Sequence, residues 1–417
     1  MPFPSREAQT RVKHEILREY AGAYGGIISR GVGRLAHADT VLDLAYFDAF
    51  AGYGQYAGDV DQPGATAPVW GSPILALRAF AAVQAPPGVR IRVTGLLVEE
   101  QGDAYRELLE SLRTARLNQQ ILEVRRLDRI ELGAVSVLHG DVRDCVGDLL
   151  GALGVGMFLL AFIDPFGPSM PMPLLQRLAA RSRTDTITLF PVYRVHEYAG
   201  SAQKPPSEQT PMDRNNIRRN TDHLGSDKWR EIAAQRLSCA AAAPQYVELY
   251  REGLQAAVPG LVVKDIGLSF SGRSEDYGLP GYHVFLTTRN PHGAFRMNAI
   301  LRQAAYRRYW THWSDHERRE AVRRERRGEL ELGLGVPYTP VPTVQRAEVA
   351  TEEVEQSLLE YLPPGAYTLR RILELLADSI FTQGEITKAL RALKRQERVR
   401  FDNLDNDASS VEVLSKS

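Results

Sequence analysis

Cysteine is scarce in this chain, with only Cys145 and Cys239 among 417 residues. Two thiols cannot cross-link a fold of this size, nor can they supply the ligands of a zinc ribbon or finger. A disulfide scaffold is thereby excluded, and unpaired thiols in a reducing compartment are expected. A surplus of one charge is also missing. Lys plus Arg number 51 and Asp plus Glu number 51, so any contact with nucleic acid has to come from local basic patches. Long apolar runs are absent as well. The longest, Leu149 to Ile163, is broken by Gly151, Gly154 and Gly156 and is too short to cross a bilayer. It reads as a buried strand with its approach, and no membrane partner is expected. Met1 to Lys13 has no apolar stretch of the signal-peptide kind, which places the protein in the cytoplasm as an expectation. What is present is ordinary for a water-soluble globular protein: 44% apolar and 24% charged residues.

Between residues 41 and 190, short apolar runs alternate with amphipathic or turn-rich stretches, the pattern of parallel βαβ units. Four runs stand out, at 41–47, 89–98, 134–139 and 157–163, with a fifth at 185–190. A carboxylate follows each of the first four: Asp48, Glu99, Asp141 and Asp164. In an open α/β sheet, ligands bind outside the carboxyl ends of the strands, so these four side chains are expected to converge on one rim. Helices are predicted over 11–24, 72–82, 104–117 and 173–181. Residues 191–225 carry Pro191, Pro205, Pro206 and Pro211 with a basic run at Arg214, Arg218 and Arg219, and read as a long loop near the same rim, within an insertion reaching about residue 260. Segments 261–269 and 282–288 predict an antiparallel hairpin closing the sheet.

The first domain is expected to cover 1–327, and a Gly- and Pro-containing linker 328–350. Beyond it, 351–362, 368–377 and 382–395 have helical spacing, the last opened by a capping box from Thr382 to Glu385. Two strand-like pieces, 399–401 and 411–414, flank Asp- and Asn-rich residues. Three helices followed by a hairpin over 351–417 form the winged-helix pattern.

Asp48-Ala49-Phe50-Ala51-Gly52-Tyr53-Gly54 ends the first strand, and its two glycines let the backbone approach a ligand closely. Phe50 stands where a dinucleotide fingerprint has its first glycine. The string instead resembles the first motif of class I S-adenosylmethionine (SAM) methyltransferases in its D-x-F-x-G-x-G form. The plainer alternative is a Gly-rich turn of any α/β enzyme. Glu99 is placed to hold two ribose hydroxyls, with Glu100 as its rival. Asp141 can accept a hydrogen bond from an adenine amine or, alternatively, cap the helix that follows.

The most specific string is Phe162-Ile163-Asp164-Pro165-Phe166-Gly167. It resembles the fourth motif of amino-group methyltransferases, usually D/N-P-P-Y/F, with Phe166 at the second proline and Gly167 at the aromatic position. The D-P-F-G form also resembles tRNA guanine-N2 dimethyltransferases, which leaves adenine and guanine both open. An exocyclic amine is a weak nucleophile because its lone pair is delocalised, so it must be pinned in line with the methyl carbon. Asp164 and the Pro165 carbonyl can accept its two N–H bonds while Phe166 stacks on the base. In a duplex the base would have to be flipped out. The alternative is a rigid turn in which Asp164 caps the next helix.

Other signals are weaker. Neither cysteine lies in the Asp164 segment, so cysteine-based cytosine C5 methylation is not expected. His312 and His316 share a helical face, but Trp313 stands where a zincin needs Glu, and no metal is expected. Tyr306, Tyr309, Trp310 and Trp313 interleave with arginines over 302–327, either to stack bases or to pack on a core. Lys388 and Arg391 on the third helix of the small domain could face phosphates, although winged helices also dock proteins.

Lys13-His14-Glu15-Ile16-Leu17, Asp48 to Gly54, Gly71-Ser72-Pro73, Asp164 to Gly167, Leu224 to Arg230 around Trp229, and Asn290 to Met297 together resemble the three-Cys-motif partner (TcmP) family over nearly the whole chain. The resemblance implies a Rossmann-like α/β SAM-methyltransferase domain, a mostly parallel sheet with an antiparallel hairpin at its end, followed by a winged helix. It also implies a genetic association with a radical-SAM-like protein bearing a three-cysteine motif, which this chain itself lacks. In such proteins Lys13 and His14 would precede the first strand and cover the methionine end of SAM. The resulting expectation is an N-methyltransferase for a base amino group in DNA or RNA. Asp48, Phe50, Gly52, Gly54, Glu99 and Asp141 would serve SAM, and Asp164, Pro165 and Phe166 the amine. Arg194 and the 191–225 loop, with Lys388 and Arg391, would hold the substrate. Two alternatives stand beside it: a non-catalytic scaffold that binds nucleic acid or a partner, and an enzyme for a small purine-like metabolite whose winged helix makes a homodimer.

Overall fold

A computed structural model describes residues 8–34, 39–58, 69–269, 280–304 and 349–414. The described residues fall into two compact units, one reaching residue 297 and the other beginning at Asn298.

The first unit is a mixed α/β layer structure around an eight-stranded, mostly parallel sheet. Its strands are β1 (Thr40–Asp48), β4 (Val89–Glu99), β5 (Ile121–Val124), β6 (Val135–His139), β7 (Phe158–Ile163), β8 (Thr184–Phe190), β9 (Val262–Ser269) and β10 (Pro280–Thr288), while β2 (Gln55–Tyr56) and β3 (Val69–Trp70) pair separately. The order across the sheet is β5-β6-β4-β1-β7-β8-β10-β9. All neighbours run parallel except β10, which is antiparallel to both β8 and β9. The mostly parallel sheet with an antiparallel hairpin at one end is thus present. The four expected parallel runs and the fifth are strands within a residue or two of their anticipated bounds, and β5 is an added edge strand.

The helices are α1 (Ala8–Gly33), α2 (Ser72–Ala81), α3 (Gly102–Thr114), α4 (Val142–Ala152), α5 (Met172–Ala180), α6 (Val192–Ala199), α7 (Pro211–Leu224), α8 (Trp229–Ala234), α9 (Cys239–Gln255) and the first part of α10 (291–304), whose residues from Asn298 on belong to the second unit. In α1, Ile16, Leu17, Tyr20, Ala21, Tyr24 and Ile28 are buried at three- and four-residue spacing, one helix face turned to the sheet. The Tyr24 hydroxyl donates to the Leu159 carbonyl at 2.9 Å, near the start of β7. Lys13 meets Asp164 just past the end of β7. The helix therefore crosses the sheet from its C-terminal rim to its N-terminal edge.

Two expectations change. Residues 191–225 are largely helical and not a long loop: α6 and α7 frame two short 3-10 turns. The prolines there are helix starts. Pro211 sits in the first turn of α7, behind the N-cap Thr210, which forms a capping box with Asp213. The run from Leu149 to Ile163 is divided: residues 149–152 close α4, 153–157 make a turn, and 158–163 form β7. Residues 328–348 of the linker expected at 328–350, and the aromatic–arginine stretch from Tyr306 to Arg327, with His312 and His316, lie outside the described residues. Among the described residues no helix is long and apolar enough to cross a membrane.

In the second unit, α11 (Thr351–Tyr361), β11 (Gly365–Thr368), α12 (Leu369–Leu375), α13 (Gln383–Arg395), β12 (Val399–Arg400) and β13 (Ser410–Val413) follow in that order. The strands form an antiparallel sheet β11-β13-β12. Val354, Leu358, Ile372, Leu373, Ile386, Leu390, Leu393 and Val411 form its interior. The capping box from Thr382 to Glu385 is present. β11 is a third strand beyond the two anticipated.

Candidate functional site

Strand register assembles the rim. Asp48, the last residue of β1, lies opposite Leu97 of β4 and Phe162 of β7. Glu99 therefore ends β4 two residues further along, on the same face as Asp48 by the period-two alternation of side chains, and Asp164 directly follows β7 at the same rim. Glu99 in turn lies opposite His139, the last residue of β6, and Asp141 follows two residues later as the N-cap of α4. The chain passes from β1 to β4 and β6 on one side, then returns to β7 on the other. The switch point of the sheet is thus between β1 and β7, where open α/β sheets leave a crevice.

The turn after β1 is held from several sides. The amides of Ala49 and Ala51 donate to the Phe162 and Val98 carbonyls at 3.1 and 2.9 Å. Glu99 is buried, and its two carboxylate oxygens accept from the amides of Gly52 and Gln101, both at 2.8 Å. Each oxygen keeps a lone pair for a further donor. Gly52 has φ +62°, and a side chain built there would meet nothing within 4 Å. Gly54, at φ +71°, is the opposite case: a Cβ would come within 2.9 Å of Leu108. One glycine leaves open space beside Glu99, and the other permits the close packing that fixes the turn. Phe50 is half-buried against the core behind it.

Asp48 is fully buried. Its carboxylate accepts from the Tyr46 hydroxyl at 2.7 Å and the Phe50 amide at 3.2 Å. Burial pushes its carboxyl from the ordinary 3.8 up to about 7; the hydrogen bonds from Tyr46, Ser72 and Phe50 oppose that rise, and the charge of Asp164 adds to it. Asp48 therefore braces the turn from beneath and does not open to solvent.

Asp164 is paired with Lys13, whose Nζ lies 2.7 Å from Oδ2, the side chains being 21% and 8% exposed. The same ammonium sits 5.2 Å from the centre of the Tyr282 ring. Pro165 is buried and Phe166 is 82% exposed, so the aromatic ring projects from the rim. Gly167, at φ +77°, completes the turn. Next to Lys13, His14 is buried, its ring centre 5.6 Å from that of Tyr56.

Asp141 caps α4: its side chain accepts from the Arg143 amide at 2.8 Å and also pairs with the Arg143 guanidinium. Those bonds hold its carboxyl below the usual range. Register brings it to the rim, but its partners are those of a helix cap. Arg194, on α6, pairs with Glu197 at 2.7 Å and is 46% exposed. Lys388 and Arg391 are exposed on α13 in the second unit. Neither cysteine is poised as a nucleophile, since burial pushes the Cys145 thiol up to about 12 and raises that of Cys239.

The sequence reading missed the residues that hold the far side of this rim. Asn220 and His223 of α7 are buried. Asn220 donates to the Val195 carbonyl at 2.9 Å, and His223 Nδ1 lies 2.8 Å from the Met170 carbonyl. The signal was available in the Thr210-Pro211 start and the C-cap Gly225, at φ +66°, which together bound a helix.

No family model and no curated protein matches the chain. A crystal structure of a protein from Legionella pneumophila is similar at 12% identity and TM-score 0.32, over 66% of this chain and 85% of that one. The methyltransferase domain of bacterial CtHen1-C is similar at 12% identity and TM-score 0.22, over 67% of this chain and 97% of that one. Likeness at these scores says nothing of chemistry.

Proposed function

We propose that this chain is a SAM-dependent N-methyltransferase acting on an exocyclic amino group of a nucleobase in DNA or RNA. One observation carries the reading. The Glu99 carboxylate ends the strand on one side of β1, with the open space at Gly52 beside it, and Asp164 with its projecting Phe166 follows the strand on the other side, across the switch point. That arrangement supplies a ribose-binding acid and an amine-binding acid on one rim. Glu99 would hold the cofactor's ribose, the Phe50–Gly54 turn would pass beneath its nucleoside, and Lys13 and His14 would lie toward its methionine end. When bound, SAM supplies a methyl group on a sulfonium, an electrophile that demands in-line approach. Asp164 and the Pro165 carbonyl accept the amine's N–H bonds and fix its lone pair in that line, which is where the rate advantage of positioning arises. Phe166 stacks on the base. The helix and strand order of the second unit supports a winged-helix reading, with Lys388 and Arg391 facing phosphates.

A second reading has its own support: Lys13 already occupies Asp164, as in a scaffold that binds nucleic acid or a partner without transferring a methyl group. Calorimetry with SAM and S-adenosylhomocysteine separates the two, because the scaffold gives no heat with either. For the enzyme, Asp164→Asn leaves that heat unchanged and abolishes methyl incorporation into oligonucleotides measured by nucleoside mass spectrometry. Undiminished incorporation in the variant would refute the assignment of Asp164.

A further inference from the structure

The edge of the site beyond β8 is built from aromatic rings and guanidinium groups. Phe166 is 82% exposed and Tyr193 is 53% exposed, so both rings are open to a partner. Tyr193 stands in the first turn of α6, directly after β8, the strand hydrogen-bonded to β7. It is thus on the same rim as Asp164. Further along α6, the Tyr198 hydroxyl lies 4.0 Å from where a Cβ on Gly167 would be. The Arg219 guanidinium lies 5.6 Å from the centre of the Tyr198 ring. Arg194, the residue after Tyr193, is half exposed and pairs with Glu197.

This edge is firmly supported. The buried Asn220 and His223, which follow Arg219 on α7, tie that helix to Val195 of α6 and to Met170 in the segment after Asp164. Gly225 at the end of α7 packs so closely on Met172 of α5 that a Cβ would come within 2.8 Å of it. Arg219 and Tyr198 are therefore presented from fixed backbone. A small amine would be held by a walled pocket. Exposed rings interleaved with arginines instead suit successive bases and their phosphates, because every base offers a face to stack on and every phosphate a charge to meet.

We propose that Phe166, Tyr193 and Tyr198 with Arg194 and Arg219 form a platform for single-stranded nucleic acid, carrying the nucleotides that flank the acceptor base. The inference rests on the methyltransferase reading for the destination of that base at Asp164. Its test is fluorescence anisotropy of the full chain with labelled mixed-sequence DNA and RNA single strands of about 20 nucleotides and with the matched DNA duplex, from about 50 to 200 mM salt. SAM calorimetry is run on the same samples. Single strands bind more tightly than the duplex, and the DNA and RNA arms show which sugar is preferred. Tyr193→Ala weakens strand binding about tenfold, the scale of one lost stack. Arg219→Gln lowers the slope of log affinity against log salt by about one. Both variants retain the wild-type heat with SAM. Tyr193 is exposed, so its truncation probes the surface and not the fold. Wild-type strand affinity in Tyr193→Ala, or a protein that binds SAM but no strand, overturns the platform. A protein that binds strands through Tyr193 and gives no heat with SAM overturns the methyltransferase reading and leaves the platform standing.

Discussion

Replacing Asp48 with Asn removes a carboxyl that the fold holds wholly out of water, and its effect depends on pH in a way that can be worked out beforehand. The native carboxyl titrates at about 7 against 3.8 for the ordinary group, burial being the main cause. Between those values the folded chain binds the extra proton and the unfolded chain does not, so stability falls as pH rises from about 4 to about 7. At about 1.4 kcal/mol per unit, ionising Asp48 in place costs on the order of 4 kcal/mol by pH 8, and roughly 2.6 kcal/mol of that accrues between pH 5 and pH 8. Asn carries no charge at either pH and its oxygen can still accept from the Phe50 amide. Relative to wild type, Asp48→Asn is therefore more favourable at pH 8 than at pH 5. A shift of this size moves the melting midpoint of a large domain by roughly 5 °C. The assay is the difference in melting midpoint between variant and wild type, followed by scanning calorimetry from pH 5 to pH 8 for the first transition. A difference that stays flat across that range would refute the burial argument, because it would mean that Asp48 is not changing its charge there.

Other consequences are independent of Asp48. Glu99→Gln keeps one oxygen for a backbone amide but loses the charge proposed to hold a ribose, and should weaken SAM binding at least about tenfold by calorimetry, the scale of one charged hydrogen bond; unchanged affinity would remove Glu99 from the site. His223 has the opposite pH signature to Asp48. Burial depresses its pKa from 6.5 to about 4, so the stability it supports is present above pH 6.5 and is lost as pH falls through about 4. His223→Gln should flatten that acid limb in a pH series of melting curves, and an unaltered limb would show that another group governs it. Trp229 is fully buried beside α7, donating from its ring nitrogen to Thr221 at 3.1 Å, and Trp229→Ala should cost about 3–5 kcal/mol, read as a lowered melting midpoint. The pair Lys388→Ala and Arg391→Ala, both on the exposed side of α13, should weaken nucleic-acid binding without altering SAM heat; unchanged binding would leave α13 without that role.

The parts of this molecule that could be anticipated are those where one local rule sufficed. A buried parallel strand is a short apolar run, and an acid after it stands at the rim whichever way the chain crosses, so Asp48, Glu99 and Asp164 could be placed before any pairing was known. What those acids touch depends on contacts distant in sequence. Lys13 reaches Asp164 across 151 residues, and only the passage of α1 over the sheet brings them together. The prolines at 205–211 illustrate the reverse failure. Counted as loop residues they suggested irregular chain, yet Pro211 costs an α-helix nothing in its first turn, where no intrahelical acceptor awaits its missing N–H. Position within the element, set by the Thr210 cap, decides whether proline ends a helix or begins one. Asp141 shows why composition alone cannot separate a ligand from a brace. The same carboxylate at the same strand end serves a bound amine or an N-terminal amide equally well, and the arginine two residues later, which pairs with it here, tips the balance toward the cap.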